Sequence, residues 1–326
     1  MKVLITGGSG HLGEALVRTL RDKKIDIISI DLTSSRFTTA VGSITDRQFV
    51  RQCMTGVDFV LHTATLHKPH IVTHSNQDFI DTNLTGTLNL LEEAVLAGVK
   101  GFIYTSTTST FGDALTPPHG TPAAWITEKV VPIPKNIYGV TKTAAEDLCK
   151  LFHRNKGLAC IILKTSRFFP DADDQEKVRQ AYDDNNLKAN ELLYRRVDLE
   201  DVVAAHLLSL DKVREIGFGS YIISATTPFT TDDLLQLNHD AHAVVKKLFP
   251  HYENIYAEMG WRMFPRIERV YVNELARKEL GWAPKYDFEY MVNCLKDGKS
   301  ITSPLAQTVG IKGYHQLKFD EGLYPV

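Results

Sequence analysis

A glycine-rich turn near the start of the chain constrains the fold more than any other feature. Thr6-Gly7-Gly8-Ser9-Gly10-His11-Leu12-Gly13 follows a short apolar run, Lys2 to Thr6. It leads into a stretch with Leu12, Leu16 and Leu20 at helical spacing. Gly7, Gly10 and Gly13 form GxxGxxG. A tight turn, close approach of backbone to a pyrophosphate and close helix–strand packing each call for a residue without Cβ. The helix that follows offers N–H groups and partial positive charge to phosphates. Few folds place such a turn after a first strand, and they begin with a βαβ unit. Ile25 to Asp31 reads as the second strand. Asp31 ends it, 18 residues past Gly13. A carboxylate there accepts both ribose hydroxyls and repels a 2′-phosphate, which favours NAD over NADP. Arg36, nearby, is the residue able to reverse that preference.

The rest of the first half alternates two periods. Asp58 to Ala64, Gly101 to Thr107 and Ala159 to Ser166 are strand-like. Asp78 to Ala97 and Ile137 to Arg154 are helical. Strands alternating with helices imply a parallel sheet covered on both faces. After Pro170 the pattern changes. Asp171 to Asn190 reads as a loop or surface helix, Arg195 to Leu210 as an apolar helix and Tyr221 to Ala225 as a strand. Thr230 to Phe249 reads as a helix capped by Thr230 or Thr231, and the tail from Ser300, with Pro325, as loop. The expected fold is α/β: a doubly wound parallel sheet of the Rossmann type with a smaller C-terminal α+β substrate-binding part. The expected division is 1–168 and 195–225 for the cofactor part, and 169–194 and 226–326 for the substrate part.

Composition excludes several classes. Lys and Arg total 37 against 39 Asp and Glu, a net charge of −2, so nothing favours a nucleic-acid backbone. No apolar run approaches the ~18 residues of a membrane span. Four scattered cysteines without CxxC point to a reduced, cytoplasmic setting. The partner is then a small molecule.

Tyr138-Gly139-Val140-Thr141-Lys142 is YxxxK near the start of a helix, with both side chains on one face. An ammonium beside a phenol favours phenolate and draws the tyrosine down toward the range of a general base. The strand from Gly101 ends in Thr105, Ser106, Thr107, Thr108 and Ser109. A hydroxyl at the carboxyl end of a parallel strand faces the ligand crevice. His67, His70 and His74 have metal-like spacing but no acidic or cysteine partner, so no metal is expected and the segment is read as a polar crevice loop.

Together these segments resemble the extended short-chain dehydrogenase/reductase family, in its NAD-dependent epimerase/dehydratase branch. The carriers are TGGSGHLG, His62-Thr63-Ala64-Thr65, Asn83-Leu84-Thr85-Gly86-Thr87, Phe102 to Gly112, YxxxK, Val197 to Val202 and Leu280-Gly281-Trp282-Ala283-Pro284. The resemblance implies catalytic roles for Tyr138 (base), Lys142 (tuning the phenol and holding ribose) and Thr107 (positioning the substrate oxygen). It implies an NAD site of Gly7, Ser9, Gly10, His11, Leu12, Gly13, Asp31, Ser43, Ile44, Thr63, Ala64, Thr65, His67, Asn83, Thr105, Tyr138 and Lys142. Thr108, Arg167 and Arg266 are the substrate candidates, and a homodimer is the expected assembly. Three departures matter. Thr108 and Ser109 stand where dehydratases carry Asp-Glu. Arg167 stands where nucleotide-gripping epimerases carry Asn, and Pro265 to Arg269 replaces an Arg-Pro-Gly-Asp stretch. Ser43 stands for the adenine-contacting Asp. The implied activity is NAD-dependent redox chemistry at a secondary alcohol of a sugar or nucleotide sugar, epimerase-like. The alternatives are a dehydrogenase of a non-nucleotide polyol or other alcohol, and a non-catalytic NAD-sensing regulator.

Overall fold

The Ile- and Val-rich runs form strands because side chains on both faces find apolar cover. In the computed structural model, which describes residues 1–118, 120–173 and 175–313, the strands are β1 (Lys2–Thr6), β2 (Asp26–Asp31), β3 (Ala40–Val41), β4 (Phe59–His62), β5 (Gly101–Thr107), β6 (Ala124–Ile126), β7 (Cys160–Thr165), β8 (Phe218–Ile223) and β9 (Arg269–Tyr271). Seven of them make one parallel sheet in the order β3-β2-β1-β4-β5-β7-β8. The order reverses between β1 and β4, so a crevice opens there at the carboxyl ends. β6 pairs with β9 in a separate parallel pair.

The helices are α1 (His11–Asp22), α2 (Arg47–Cys53), α3 (Asn76–Phe79), α4 (Gly86–Leu96), α5 (Ile137–Lys156), α6 (Glu176–Ala181), α7 (Asp184–Glu191), α8 (Leu199–Ile216), α9 (Leu234–Leu237), α10 (Ala241–Leu248), α11 (Tyr252–Met259), α12 (Glu274–Leu280), α13 (Phe288–Lys296) and α14 (Pro304–Val309). Alternate strand residues serve opposite layers. Val3, Ile5, Leu61, Ile103 and Leu163 pack with Leu16 and Leu20 of α1, Val202 of α8 and Leu280 of α12. Leu4, Val60, Phe102 and Ile162 pack with Val50 of α2, Leu90 of α4 and Cys149 of α5. Burying each such aliphatic side chain contributes about 1.5–3 kcal/mol. A further core gathers Leu187, Leu193, Leu237, Tyr252, Tyr256 and Phe288 beyond the sheet.

Several sequence expectations change. Asp198 caps α8, accepting from the Glu200 N–H at 2.8 Å, so that helix starts at Leu199, not Arg195. The helix expected from Asp78 to Ala97 carries a π-helical segment, Ile80–Thr85. The helix expected from Thr230 to Phe249 breaks after Leu237, and Asp240 caps the next one. α7 is mostly buried rather than a surface helix, because Asn186 and Asn190 both donate to the Arg262 carbonyl. β8 begins at Phe218, earlier than its apolar signal. The tail contains α14, and its Val309 joins the core on the α1 side; Pro325 lies outside the described residues. Two motifs of the resemblance prove to be one contact: Asp201 accepts the N–H groups of Lys285 and Tyr286, and Trp282 donates to the Asp201 carbonyl at 2.9 Å. Burial pushes the Asp201 carboxyl up to about 6.

Candidate active site

A cavity of about 940 Å³ lies at the carboxyl ends of β1, β4, β5 and β7. The glycine turn forms one end. Gly7 has φ +74°, and a Cβ there would meet the Ala64 backbone at 2.9 Å. A Cβ on Gly13 would fall 1.9 Å from the Gly7 carbonyl oxygen. These contacts press α1 against the sheet and aim its first turn at the cavity. Gly10, Leu12 and Gly13 line it with His11 and Ser9, and no side chain caps α1. An uncapped helix start with room beside Gly10 suits a pyrophosphate. The residues present therefore fit a dinucleotide.

Asp31 lines the same cavity. Its carboxylate accepts from the N–H groups of Ser9 at 3.0 Å and Thr33 at 2.8 Å, tying the ribose end to the glycine turn. Arg36 does not line the cavity; its guanidinium stacks on Phe37 at 4.7 Å. Ser43 and Ile44 form the far wall.

Thr63, Ala64 and Thr65 follow β4 and are held by a buried polar chain. The Thr6 hydroxyl oxygen accepts from the N–H groups of Thr63 and Ala64, both at 3.1 Å. It contacts His62 Nδ1 at 2.8 Å, and His62 Nε2 contacts the Thr87 hydroxyl at 2.9 Å. The Thr87 hydroxyl donates to the Asn83 carbonyl at 2.7 Å. One tautomer satisfies every link: Thr6 donates to Nδ1 and Nε2–H donates to Thr87. Burial holds His62 well below its ordinary pKa, hence neutral. Asn83, expected at the cofactor, sits one layer behind the wall. Its Oδ1 accepts the Leu66 N–H at 2.8 Å, and its Nδ2 donates to Leu66 O and Thr141 Oγ1, both at 3.1 Å. It lies in the π-helical segment and fastens the loop after β4 to α5.

Tyr138, Lys142, Thr105, Thr107 and Thr108 meet at the centre of the cavity wall. Asn136 caps α5 through the Gly139 N–H at 3.0 Å, which fixes the helix start at Ile137 and so places Tyr138 in its first turn. Thr107 ends β5, where its hydroxyl accepts the Ser109 N–H at 3.1 Å and lies near enough to the Tyr138 phenol to favour its ionised form. Lys142 donates to the Thr105 carbonyl at 2.7 Å and lies 4.1 Å from the centre of the Tyr104 ring. The depressed tyrosine expected from YxxxK is not found in the protein alone. Burial pushes the phenol up to about 12, with Thr107 opposing, and burial also draws Lys142 down to about 7. Both groups are buried, and burial biases each toward its neutral form.

Arg167, Arg195 and Arg269 line the other end. Glu191 is fully buried among Arg195 at 2.6 Å, Arg196 at 2.7 Å and Arg167 at 3.4 Å. Burial opposes ionisation, yet these arginines hold its carboxyl at about 2. Arg167 also pairs with Asp173. The Nε atoms of Arg195 and Arg269 are buried and have no hydrogen-bond partner. Arg266, expected at the substrate, lies outside the cavity and pairs with Glu268 at 2.9 Å. Sequence reading missed Arg195, Asp171 and Lys312. The only local hint was the Arg195-Arg196 pair ahead of Val197-Asp198. Asp171 reaches His11 at 3.1 Å, and Lys312 reaches Glu14 at 2.5 Å, so the C-terminal segment closes over the start of α1. No His, Cys, Asp and Glu grouping among the described residues could hold a metal. The four cysteines are buried and free, and no described helix is long and apolar enough to cross a membrane.

Residues 3–223 match the NAD dependent epimerase/dehydratase family. The uncharacterized protein y4nG of Sinorhizobium fredii is 28% identical, covering 89% of this chain and 76% of that protein. The UDP-glucose 4-epimerase of Rhizobium meliloti is 28% identical, covering 87% of this chain and 93% of that protein. Among solved structures, a short-chain dehydrogenase/reductase superfamily protein from Agrobacterium tumefaciens with bound NAD superposes with a TM-score of 0.66. It shares 22% identity, over 91% of this chain and 96% of that one. The chain belongs to the NAD-dependent epimerase/dehydratase family and is an NAD-dependent enzyme.

Proposed function

We propose that the enzyme carries out epimerase-like redox chemistry at a secondary alcohol of a sugar, with a nucleotide sugar as substrate. The observation that carries this reading is Tyr138 beside Thr107, with Lys142 one helical turn on, in the cavity that holds the glycine turn. Bound NAD supplies the hydride acceptor and donor. Thr107 orients the substrate hydroxyl, and Tyr138 takes its proton as the carbonyl forms and returns it as the carbonyl is reduced. Lys142 holds the ribose and supports the phenolate. Arg167, Arg195 and Arg269, which line the same cavity, supply donors for a diphosphate. The substrate part is assigned to residues 169–194 and 226–326. The test is a panel of UDP-hexoses with product epimers read by NMR. Formation of an epimer supports the reading; no turnover of any UDP-hexose counts against it.

A second reading, a net dehydrogenase of a non-nucleotide alcohol, is favoured by Arg266 lying outside the cavity. It is separated by the state of the cofactor after purification: retained NAD(H) fits the epimerase, and freely exchanged NAD fits the dehydrogenase.

Asp31 sets the cofactor preference in this account. Calorimetry should find NAD bound much more tightly than NADP, with Asp31→Ala narrowing the gap. Equal affinities in the unaltered protein would contradict the assignment. A homodimer is part of the same proposal. Ile80 beside α3, and Val140 and Leu151 on α5, are exposed apolar side chains, and joining two copies across these helices would cover them. Light scattering should give twice the 36.6 kDa chain mass; a monomer at micromolar concentration would refute it.

A further inference from the structure

Beyond Tyr138 and Lys142, the same face of α5 carries Glu146, one more turn along. We propose that Glu146 and Lys164 are a positioning pair for Lys142: the Glu146 carboxylate keeps the Lys142 ammonium charged inside the protein, and Lys164 limits that effect.

Glu146 is 9% exposed and Lys164 5%. One Glu146 oxygen accepts from the Ser106 hydroxyl, and the other pairs with Lys164 Nζ at 2.5 Å. Lys164 also donates to the Thr110 hydroxyl at 3.2 Å and lies 5.2 Å from the centre of the Phe111 ring. Ser106 and Lys164 are register partners on β5 and β7. Each precedes a residue of the cavity wall, Thr107 and Thr165. Glu146 therefore links the helix bearing Tyr138 and Lys142 to the strand bearing Thr107. A buried ion pair is a weak source of stability, because desolvation offsets most of the attraction. Its placement beside Lys142 gives it an electrostatic use.

The groups that face Lys142 can be enumerated. α5 contributes Glu146 and Cys149, and β7 contributes Lys164. β5 contributes the Tyr104 ring and the Thr105 carbonyl. His62 of β4 and His67 of the following loop also feel Lys142, and burial holds both well below their ordinary pKa, hence neutral. Burial pushes the Tyr104 phenol and the Cys149 thiol up, so these too are neutral. That leaves Glu146 as the anion among them, one helical turn from Lys142 on α5 and paired with Lys164. Burial draws Lys142 down to about 7, Glu146 raises it and Lys164 lowers it. Removing the anion leaves Lys142 less able to hold its proton; removing the second cation does the reverse.

The inference rests on Lys142 serving the redox centre, but its test needs no substrate. The protonation midpoint of Lys142 is read by trace acetylation with acetic anhydride at graded pH on the full chain, with the Lys142 peptide quantified by mass spectrometry. The cavity gives the reagent access. The unaltered protein should titrate at about 7. Glu146→Gln should lower the midpoint by about one pH unit, and Lys164→Met should raise it by about as much. Opposite shifts are a readout that a purely structural ion pair would not give. Midpoints that stay put, or move in the same direction, overturn the proposal. If Glu146→Gln fails to fold by circular dichroism, Lys164→Met alone decides, an upward shift supporting the proposal and any other result refuting it. Opposite shifts in a protein that turns over no alcohol would leave the pair standing and remove the functional reading instead.

Discussion

Tyr138→Phe should leave NAD affinity unchanged and lower turnover by about two to four orders of magnitude, the usual range for a general acid–base group. Phenylalanine keeps the ring at a position 6% exposed and removes only the atom that exchanges the proton. Thr107→Val should also lower turnover with little effect on NAD affinity, because it removes the hydroxyl that faces the cavity beside that phenol. Lys142→Met should differ from both by harming cofactor affinity and rate together. The phenol stands at about 12 in the protein alone. A nearby positive charge favours phenolate, so the rate of the loaded enzyme should rise with pH at a midpoint well below 12. Lys142, at about 7, is charged below that pH and neutral above it. In the proposed mechanism its support of the phenolate should therefore be strongest on the acid side and fade as pH rises. Steady-state kinetics with calorimetry checks the prediction; Tyr138→Phe turning over at the unaltered rate would remove Tyr138 from the mechanism.

Gly13→Ala should be severely damaging in the glycine turn. The added carbon would sit 1.9 Å from the Gly7 carbonyl oxygen and 2.6 Å from its carbon. Those are backbone atoms with no side chain to move aside, so α1 must shift off the turn. We expect a loss of about 3 kcal/mol, the upper part of the usual overpacking range, and NAD binding weakened by about 100-fold through misplacement of the helix start. Gly10→Ala provides the contrast. Its Cβ would meet only the Gly7 oxygen, at 3.3 Å, and Gly10 has an ordinary φ of −72°. It should keep most of its stability yet lose NAD affinity, because the methyl occupies space beside the phosphates. Urea denaturation and calorimetry on both variants separate packing from binding; equal stability losses would contradict the geometry.

The sequence made the cofactor end legible because its determinants are local. The glycine turn, Asp31 at the end of β2, and Tyr138 with Lys142 one turn apart depend on spacing within one element, and the structure brings all of them to one cavity. The π-helical segment was invisible, because it arises from Asn83 and Thr87 reaching the loop after β4 and His62, far away in sequence. β6 and β9 are three residues each, too short for alternation to register. The arginine end was read only in part. Arg167 follows directly from the end of β7. Arg195 joins it through Glu191 and α7, which looked like a polar loop because its asparagines find buried partners across the fold. Lys312 reaches Glu14 across 298 positions of sequence, a pairing no local pattern encodes. The depressed tyrosine failed for a related reason: i,i+4 spacing fixes which groups are neighbours, while burial decides which of them carries charge.

The central claim is that Tyr138 exchanges a proton with a secondary alcohol while hydride passes to and from NAD. Rapid mixing of NAD-loaded protein with the UDP-hexose panel tests it most directly, following the near-ultraviolet band of reduced nicotinamide alongside product by NMR. A transient band should rise and decay as the epimer accumulates, slowed by about two orders of magnitude or more in Tyr138→Phe. Epimer formed without the band, or a band that rises equally fast in Tyr138→Phe, would contradict it.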